Sequence, residues 1–141
     1  MSHSADNASQ RLCYEGVHCT VTLEHCTPRV VLVTISGSDV GEFGTAPTDA
    51  LQQWLRTIDE VELYIDAREV RGATVEVSSE WSKWFIREKA KLRAITMLTG
   101  SHFVRVTAEF VRRFAELDGI MRICTEPAVF EAALGNAREH G

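Results

Sequence analysis

Apolar residues along the chain switch between two spacings, and the switches divide it into alternating strands and helices. Cys19 to His25 alternates apolar and polar side chains as a half-exposed strand does, and Pro28 then anchors a turn over Cys26 to Arg29. Val30 to Ser36 is dense in β-branched residues and predicts a central strand that ends at Gly37. A glycine-containing loop follows to Gly44. Pro47 then falls in the first turn of a helix capped by Thr45 or Ala46, where its missing N–H costs nothing. Ala50, Leu51, Trp54, Leu55 and Ile58 give that helix one buried face.

Val61 to Ile65 is the next strand, closed by Asp66, and Asp66 to Ala73 reads as a loop. A helix begins between Thr74 and Ser79 and runs to about Lys91, with Val77, Trp81, Trp84, Phe85 and Leu92 as its stripe. Ala94 to Leu98 is a strand broken by Thr99-Gly100-Ser101. Phe103, Val106, Phe110, Phe114 and Leu117 mark the most regular helix of the chain, stopped by Asp118-Gly119. Ile120 to Cys124 is a last strand, and Thr125 caps a last helix with Pro127 in its first turn and Val129, Phe130, Ala133 and Leu134 inward. Strands joined through single helices must run mostly parallel, because such a crossover returns the chain in the same direction. The predicted architecture is α/β: a mixed, mostly parallel sheet of about five strands covered by about four helices.

Size and composition fit one domain. The 141 residues lie within the usual range, and 45% hydrophobic with 25% charged residues suits a folded chain with its own core. The expected limits are a disordered tail over 1–10, a single domain over 11–137 and a second tail over 138–141. The longest aliphatic run, Val30-Val31-Leu32-Val33, is too short to cross a bilayer, and Met1 to Gln10 lacks an apolar leader core. The expected location is therefore the cytoplasm. A net charge of −5 argues against a nucleic-acid partner. The charge is uneven, however: Glu80 to Arg113 holds eight basic and three acidic residues, a local +5 that leaves −10 for the rest.

Little in the sequence points to catalysis. The four cysteines, Cys13, Cys19, Cys26 and Cys124, read as free thiols in a reducing compartment. The repeat His18-Cys19-Thr20 and His25-Cys26-Thr27 has zinc-ligand types, but adjacent strand residues point to opposite faces and cannot share one ion. No glycine-rich phosphate loop follows a strand, so nucleotide binding in that style is not expected, and neither a metal nor a cofactor is assigned. Asp66, Ser101 and His102 are the polar residues nearest the strand ends, where open α/β sheets place ligands. An enzymatic role would require them to converge.

The fragment Leu63-Tyr64-Ile65-Asp66-Ala67-Arg68-Glu69-Val70 within this alternation resembles the SpoIIAA-like, or STAS (sulphate transporter and anti-sigma factor antagonist), superfamily. Trp81-Ser82-Lys83-Trp84-Phe85 and Ala94-Ile95-Thr96-Met97-Leu98-Thr99-Gly100 are similar to its bacterial SpoIIAA-like branch. The resemblance spans about Cys19 to Ala137. It implies a non-enzymatic, regulatory domain that docks a regulatory or kinase-type protein, often under phosphorylation control. The serine that accepts phosphate in the anti-sigma antagonists falls at Val75 here, which leaves Thr74, Ser78 and Ser79 as candidate acceptors. The same residues serve as helix caps.

On the helix over Phe103 to Leu117, Arg105, Glu109, Arg112, Arg113 and Glu116 lie opposite the phenylalanines at spacings that let them neutralise one another. Lys83, Arg87 and Lys91 recur every four residues on the preceding helix with fewer acidic partners, and Ile86 projects away from its tryptophans. The expected function is therefore protein binding through the loop 66–74 and the helix 75–91, with Asp66, Thr74, Lys83, Ile86, Arg87 and Lys91 as contact residues. The alternative is a small-molecule or lipid-headgroup site in the cleft at the carboxyl ends of the strands, near Asp66 and Gly100-Ser101-His102.

Overall fold

A computed structural model describes residues 10–140. It contains six strands, β1 Gln10–Glu15, β2 Cys19–Thr27, β3 Val30–Asp39, β4 Val61–Ala73, β5 Leu92–Thr99 and β6 Met121–Cys124. Its helices are α1 Ala46–Leu55, α2 Val75–Glu88, α3 His102–Phe114 and α4 Pro127–His140, with a 3-10 turn at Lys89–Lys91. The tail expected over 1–10 lies outside the described residues except for Gln10, which is in β1. The tail expected after Ala137 is helical as far as His140, because Ala137 is buried and carries the last turn of α4 onto the sheet.

The strands pair in chain order, antiparallel from β1 to β3 and parallel from β3 to β6. Each parallel crossover therefore steps the same way, and right-handed crossovers stepping one way must leave their helices on one face. Leu51 and Leu55 of α1, Trp84 and Phe85 of α2, and Val104 and Val111 of α3 accordingly share one core with the inward strand residues. The opposite face is covered by α4, whose Phe130 and Ala137 pack on Val30, Tyr64, Leu98 and Cys124. Val129, expected inward, is half exposed, since Phe130 occupies the contact and the adjacent position turns away.

Three expectations change. A sixth strand, β1, precedes the expected first one. Of Leu12, Cys13 and Tyr14 only Tyr14 packs, with its ring 5.7 Å from that of Phe43, so the segment carries almost no core signal. The loop expected over Asp66 to Ala73 is instead the second half of β4. Pairing with β5 stops at Ala67 and Thr99, and beyond it β4 pairs only with the Ser36–Asp39 end of β3 as a two-stranded ribbon with two bulges. A ribbon buries little, so its residues are largely polar and read as a loop. Finally, α3 turns Val104, Ala108, Val111 and Ala115 to the sheet and leaves the expected stripe of phenylalanines outward. Small side chains let the helix lie close to the strands, where a row of phenylalanines would hold it off.

The end of α3 is closed by paired backbone bonds, Glu116 N–H to Arg113 C=O at 3.1 Å and Leu117 N–H to Arg112 C=O at 2.8 Å. This geometry needs a left-handed residue, and Glu116 adopts φ 57°. Glu116→Gly removes that strain and is expected to stabilise the protein by about 1 kcal/mol, raising Tm by about 2–4 °C in a thermal melt.

Candidate functional site

Helical spacing puts Phe103, Val106, Phe110 and Phe114 on one side of α3, and that side is bare. They are 56%, 48%, 59% and 61% exposed, and the Phe110 and Phe114 rings stack at 6.0 Å. Exposing a contiguous aromatic row is costly in water, so such patches mark contact surfaces. Further round the helix the charges are partly tied. Arg105 pairs with Glu109 at 3.4 Å and Arg112 with Asp118 at 3.6 Å, whereas Arg113, beside Val106 and Phe110, makes no ion pair among the described residues.

Beside this ridge lies α2. Thr74 Oγ1 accepts the Val77 N–H at 3.2 Å and starts the helix, so Thr74 is its cap, and Val75 stands exposed in the first turn. At the other end Lys89 Nζ donates to the carbonyls of Ala115 and Glu116, both at 3.1 Å, and fastens α2 to the end of α3. Ile86, one turn before Lys89, is half exposed. Lys83 and Arg87 are exposed and make no ion pair among the described residues. Between the helices a cleft of about 90 Å³ descends to Ile65 and Met97 of the sheet, with Val77, Trp81 and Phe103 around it. Its lining is apolar except for Asp39, Ser78 and Thr107, and Asp39 Oδ1 already accepts the Gly41 N–H at 3.1 Å.

The structure brings some of the expected contact residues together and separates others. Lys83, Ile86, Arg87 and Thr74 share α2. Lys91 does not join their stripe: the 3-10 turn carries it to α1, where Nζ donates to Leu55 C=O at 2.7 Å. Asp66 lies on the opposite face of the sheet, because alternation along β4 turns it towards α4. There it pairs with Arg68, which also reaches Glu131 of α4 at 2.8 Å. Asp66 first and then Glu131 hold the Arg68 guanidinium firmly protonated. Of the candidate phosphate acceptors, Ser79 is exposed, Ser78 is half buried beside the cleft and Thr74 is engaged as a cap.

Ser101, His102 and Asp66 do not converge. Ser101 Oγ accepts the Val104 N–H at 3.2 Å, the His102 ring meets Arg105 at 3.2 Å, and Asp66 is held by Arg68. None of the three lines the cleft. The two His-Cys pairs are also apart. Cys19 faces the core, where burial and then Asp39 and Glu42 push its thiol up to about 11, and burial raises Cys26 as well. His25 stacks on Trp54 at 5.4 Å. His18 sits in the β1–β2 turn, which Glu42 closes by accepting the N–H groups of Val17 at 2.9 Å and His18 at 3.1 Å. Partial burial pushes the Glu42 carboxyl up, but these bonds and the His18 ring outweigh it and hold the group below its usual range. Among the described residues no cluster of His, Cys, Asp or Glu is arranged to hold a metal ion.

The phenylalanine ridge is the feature that sequence reasoning placed wrongly. The signal was present: α3 carries two apolar rows, Val104-Ala108-Val111-Ala115 and Phe103-Val106-Phe110-Phe114, more than one buried face needs.

These features sit on a known fold. A search of solved structures finds a crystal structure of an uncharacterised DUF3478 family protein with a SpoIIAA-like fold, from Shewanella loihica PV-4. It aligns with a TM-score of 0.59 over 90% of this chain and 94% of that one, at 12% identity. The fold is therefore SpoIIAA-like, as the fragments around Leu63 and Trp81 implied. No known family's sequence profile matches the chain, and no curated protein matches it by sequence. Among the described residues no helix is long and apolar enough to cross a membrane.

Proposed function

We propose that the protein is a non-enzymatic regulatory module, working in the cytoplasm, that binds a protein partner through the outer surfaces of α2 and α3. The observation that carries this reading is the exposed row Phe103, Val106, Phe110 and Phe114, with Lys83, Arg87 and Arg113 nearby making no ion pair among the described residues. Interfaces combine central aromatic residues with arginine, and both are present here. Relative to the sequence expectation, the surface loses Asp66 and Lys91 and gains α3. Phosphorylation at Ser79 would place negative charge within the first turns of α2 and beside its cations, so it remains the acceptor best placed to alter docking.

Affinity capture from native lysate, with identification of the bound protein by mass, tests this reading. Lys83→Glu combined with Arg87→Glu is expected to reduce recovery of that protein by at least about tenfold with Tm unchanged, because charge reversal turns attraction into repulsion. Unaltered recovery would count against the proposal.

A second reading is favoured by the cleft alone: its apolar lining suits a small apolar molecule better than the lipid headgroup expected from sequence. A ligand of that kind would raise Tm by mass action in a thermal-shift screen of fatty acids and isoprenoids, and a flat screen removes this reading.

A further inference from the structure

We infer that two copies of the chain associate edge to edge, β1 beside β1, about a two-fold axis at Cys13. β1 lies at the margin of the sheet and pairs on one side alone. It carries no proline, lysine or bulge, devices that commonly blunt a free edge. All its residues are exposed except Tyr14. The phase of the ladder settles what this margin offers. Gly16 N–H donates to Cys19 C=O at 2.9 Å, so Tyr14, Leu12 and Gln10 direct their backbone groups to β2 in turn. Arg11, Cys13 and Glu15 therefore turn their N–H and C=O groups outward, and no backbone partner meets them among the described residues.

Any extended segment could take those backbone bonds; the side chains select a second copy. Registers that set Arg11 on Arg11 or Glu15 on Glu15 place like charges together. Centring an antiparallel pair on Cys13 instead sets Arg11 of each copy opposite Glu15 of the other. That register uses every outward group, three facing pairs with two hydrogen bonds each. It also brings Leu12, 40% exposed, opposite Tyr14 on the face that carries α1, α2 and α3. Neighbouring charges leave the match intact. Within its own chain Arg11 stands beside Glu24, which pairs with Arg138 at 3.7 Å, and Glu15 stands beside Thr20. Gly16, next to the Glu42 carboxylate, falls opposite the uncharged Gln10. Residues 1–9 compete poorly for the edge, since they include no β-branched residue, Phe, Tyr or Trp. The contact is one strand of six residues, about 20 Å long, so the dimer is weak and depends on concentration. α3 packs over β4, β5 and β6, across the sheet from this edge, so its phenylalanine ridge stays open in both copies.

Sedimentation of the full chain from micromolar to millimolar concentration tests this. A monomer–dimer equilibrium is expected. A short bismaleimide should join Cys13 to Cys13, identified by peptide mass, since facing residues of such a pair lie about 5.5 Å apart at Cα. Arg11→Glu and Glu15→Arg should each weaken dimerisation at least about tenfold, because each sets like charges opposite one another twice. Mixed together, the two variants should pair as the parent does. Arg11→Glu/Glu15→Arg in one chain should dimerise by itself. All three alter exposed residues and should melt with the parent. A chain that stays monomeric throughout would overturn the proposal. So would a dimer indifferent to the single reversals, or one lost in both and not recovered in their mixture. A dimer dissolved by Phe110→Ser/Phe114→Ser but not by the reversals would place the contact on α3 and also overturn it.

Discussion

Gly37→Ala is expected to destabilise the protein by about 3 kcal/mol or more, and a larger residue there to prevent folding altogether. Two independent penalties act at this position. The backbone holds φ 89°, which an L-residue with a side chain adopts only under strain. In addition, a methyl group at Gly37 would run into the His18 carbonyl oxygen, and the Cys19 Cα of the same peptide unit lies 3.3 Å from it. Neither neighbour is free to retreat. The His18 carbonyl accepts the Ser38 N–H at 2.9 Å, and Cys19 is buried in β2 opposite Gly37. Relief would require the β1–β2 turn to swing away, which would also break the bonds that Glu42 makes to Val17 and His18. Urea unfolding read by circular dichroism measures the loss. A midpoint within error of the parent would show that the turn is looser than its bonds indicate.

Trp84→Ala is expected to cost about 3–5 kcal/mol, the range for deleting a large aromatic side chain from a packed core. Trp84 is 0% exposed and is the largest fully buried side chain of the chain, wedged against Trp81 and Phe85 with ring centroids 5.8 and 5.5 Å away. Trp84→Phe separates two contributions. The indole Nε1–H is buried without a hydrogen-bond partner among the described residues, a defect worth about 1–3 kcal/mol. Phenylalanine removes that orphaned donor while keeping most of the packing, so its cost should be well below half that of alanine. Equal losses for the two variants would mean that the indole N–H is satisfied by water in solution. Both variants are measured by the same urea titration.

The fold was legible wherever core burial imposed a period. β2, α1 and α2 announce themselves because one side of each is packed and the other is not, and β3 and β5 because burial on both faces fills them with apolar residues. Legibility failed where an element buries little. Gln10–Glu15 and the Arg68–Ala73 half of β4 are held by backbone pairing, which leaves no apolar rhythm in the side chains. It failed differently on α3, where apolar periodicity was real but had two sources. Periodicity reports that a face avoids water, and it does not distinguish a face covered by its own sheet from one left for another molecule. The cationic residues of α2 were found because an excess of one charge within a short span is visible without coordinates. Their companions Asp66 and Lys91 were not separable from them, since the turn at Lys89–Lys91 and the alternation of β4 are three-dimensional facts.

The one-way winding of the sheet has a further consequence for how the molecule comes apart. The apolar cluster under α4 is distinct from the one shared by α1, α2 and α3. Besides packing, α4 is held by the Tyr64 hydroxyl donating to Ala133 C=O at 3.3 Å and by two exposed ion pairs, Arg68 to Glu131 and Arg138 to Glu24. Peeling it off would uncover one strip of β-sheet while the larger core stayed whole. The last helix is thus expected to behave as a separate cooperative unit, its amides exchanging with solvent through a partial opening that the rest of the chain does not share.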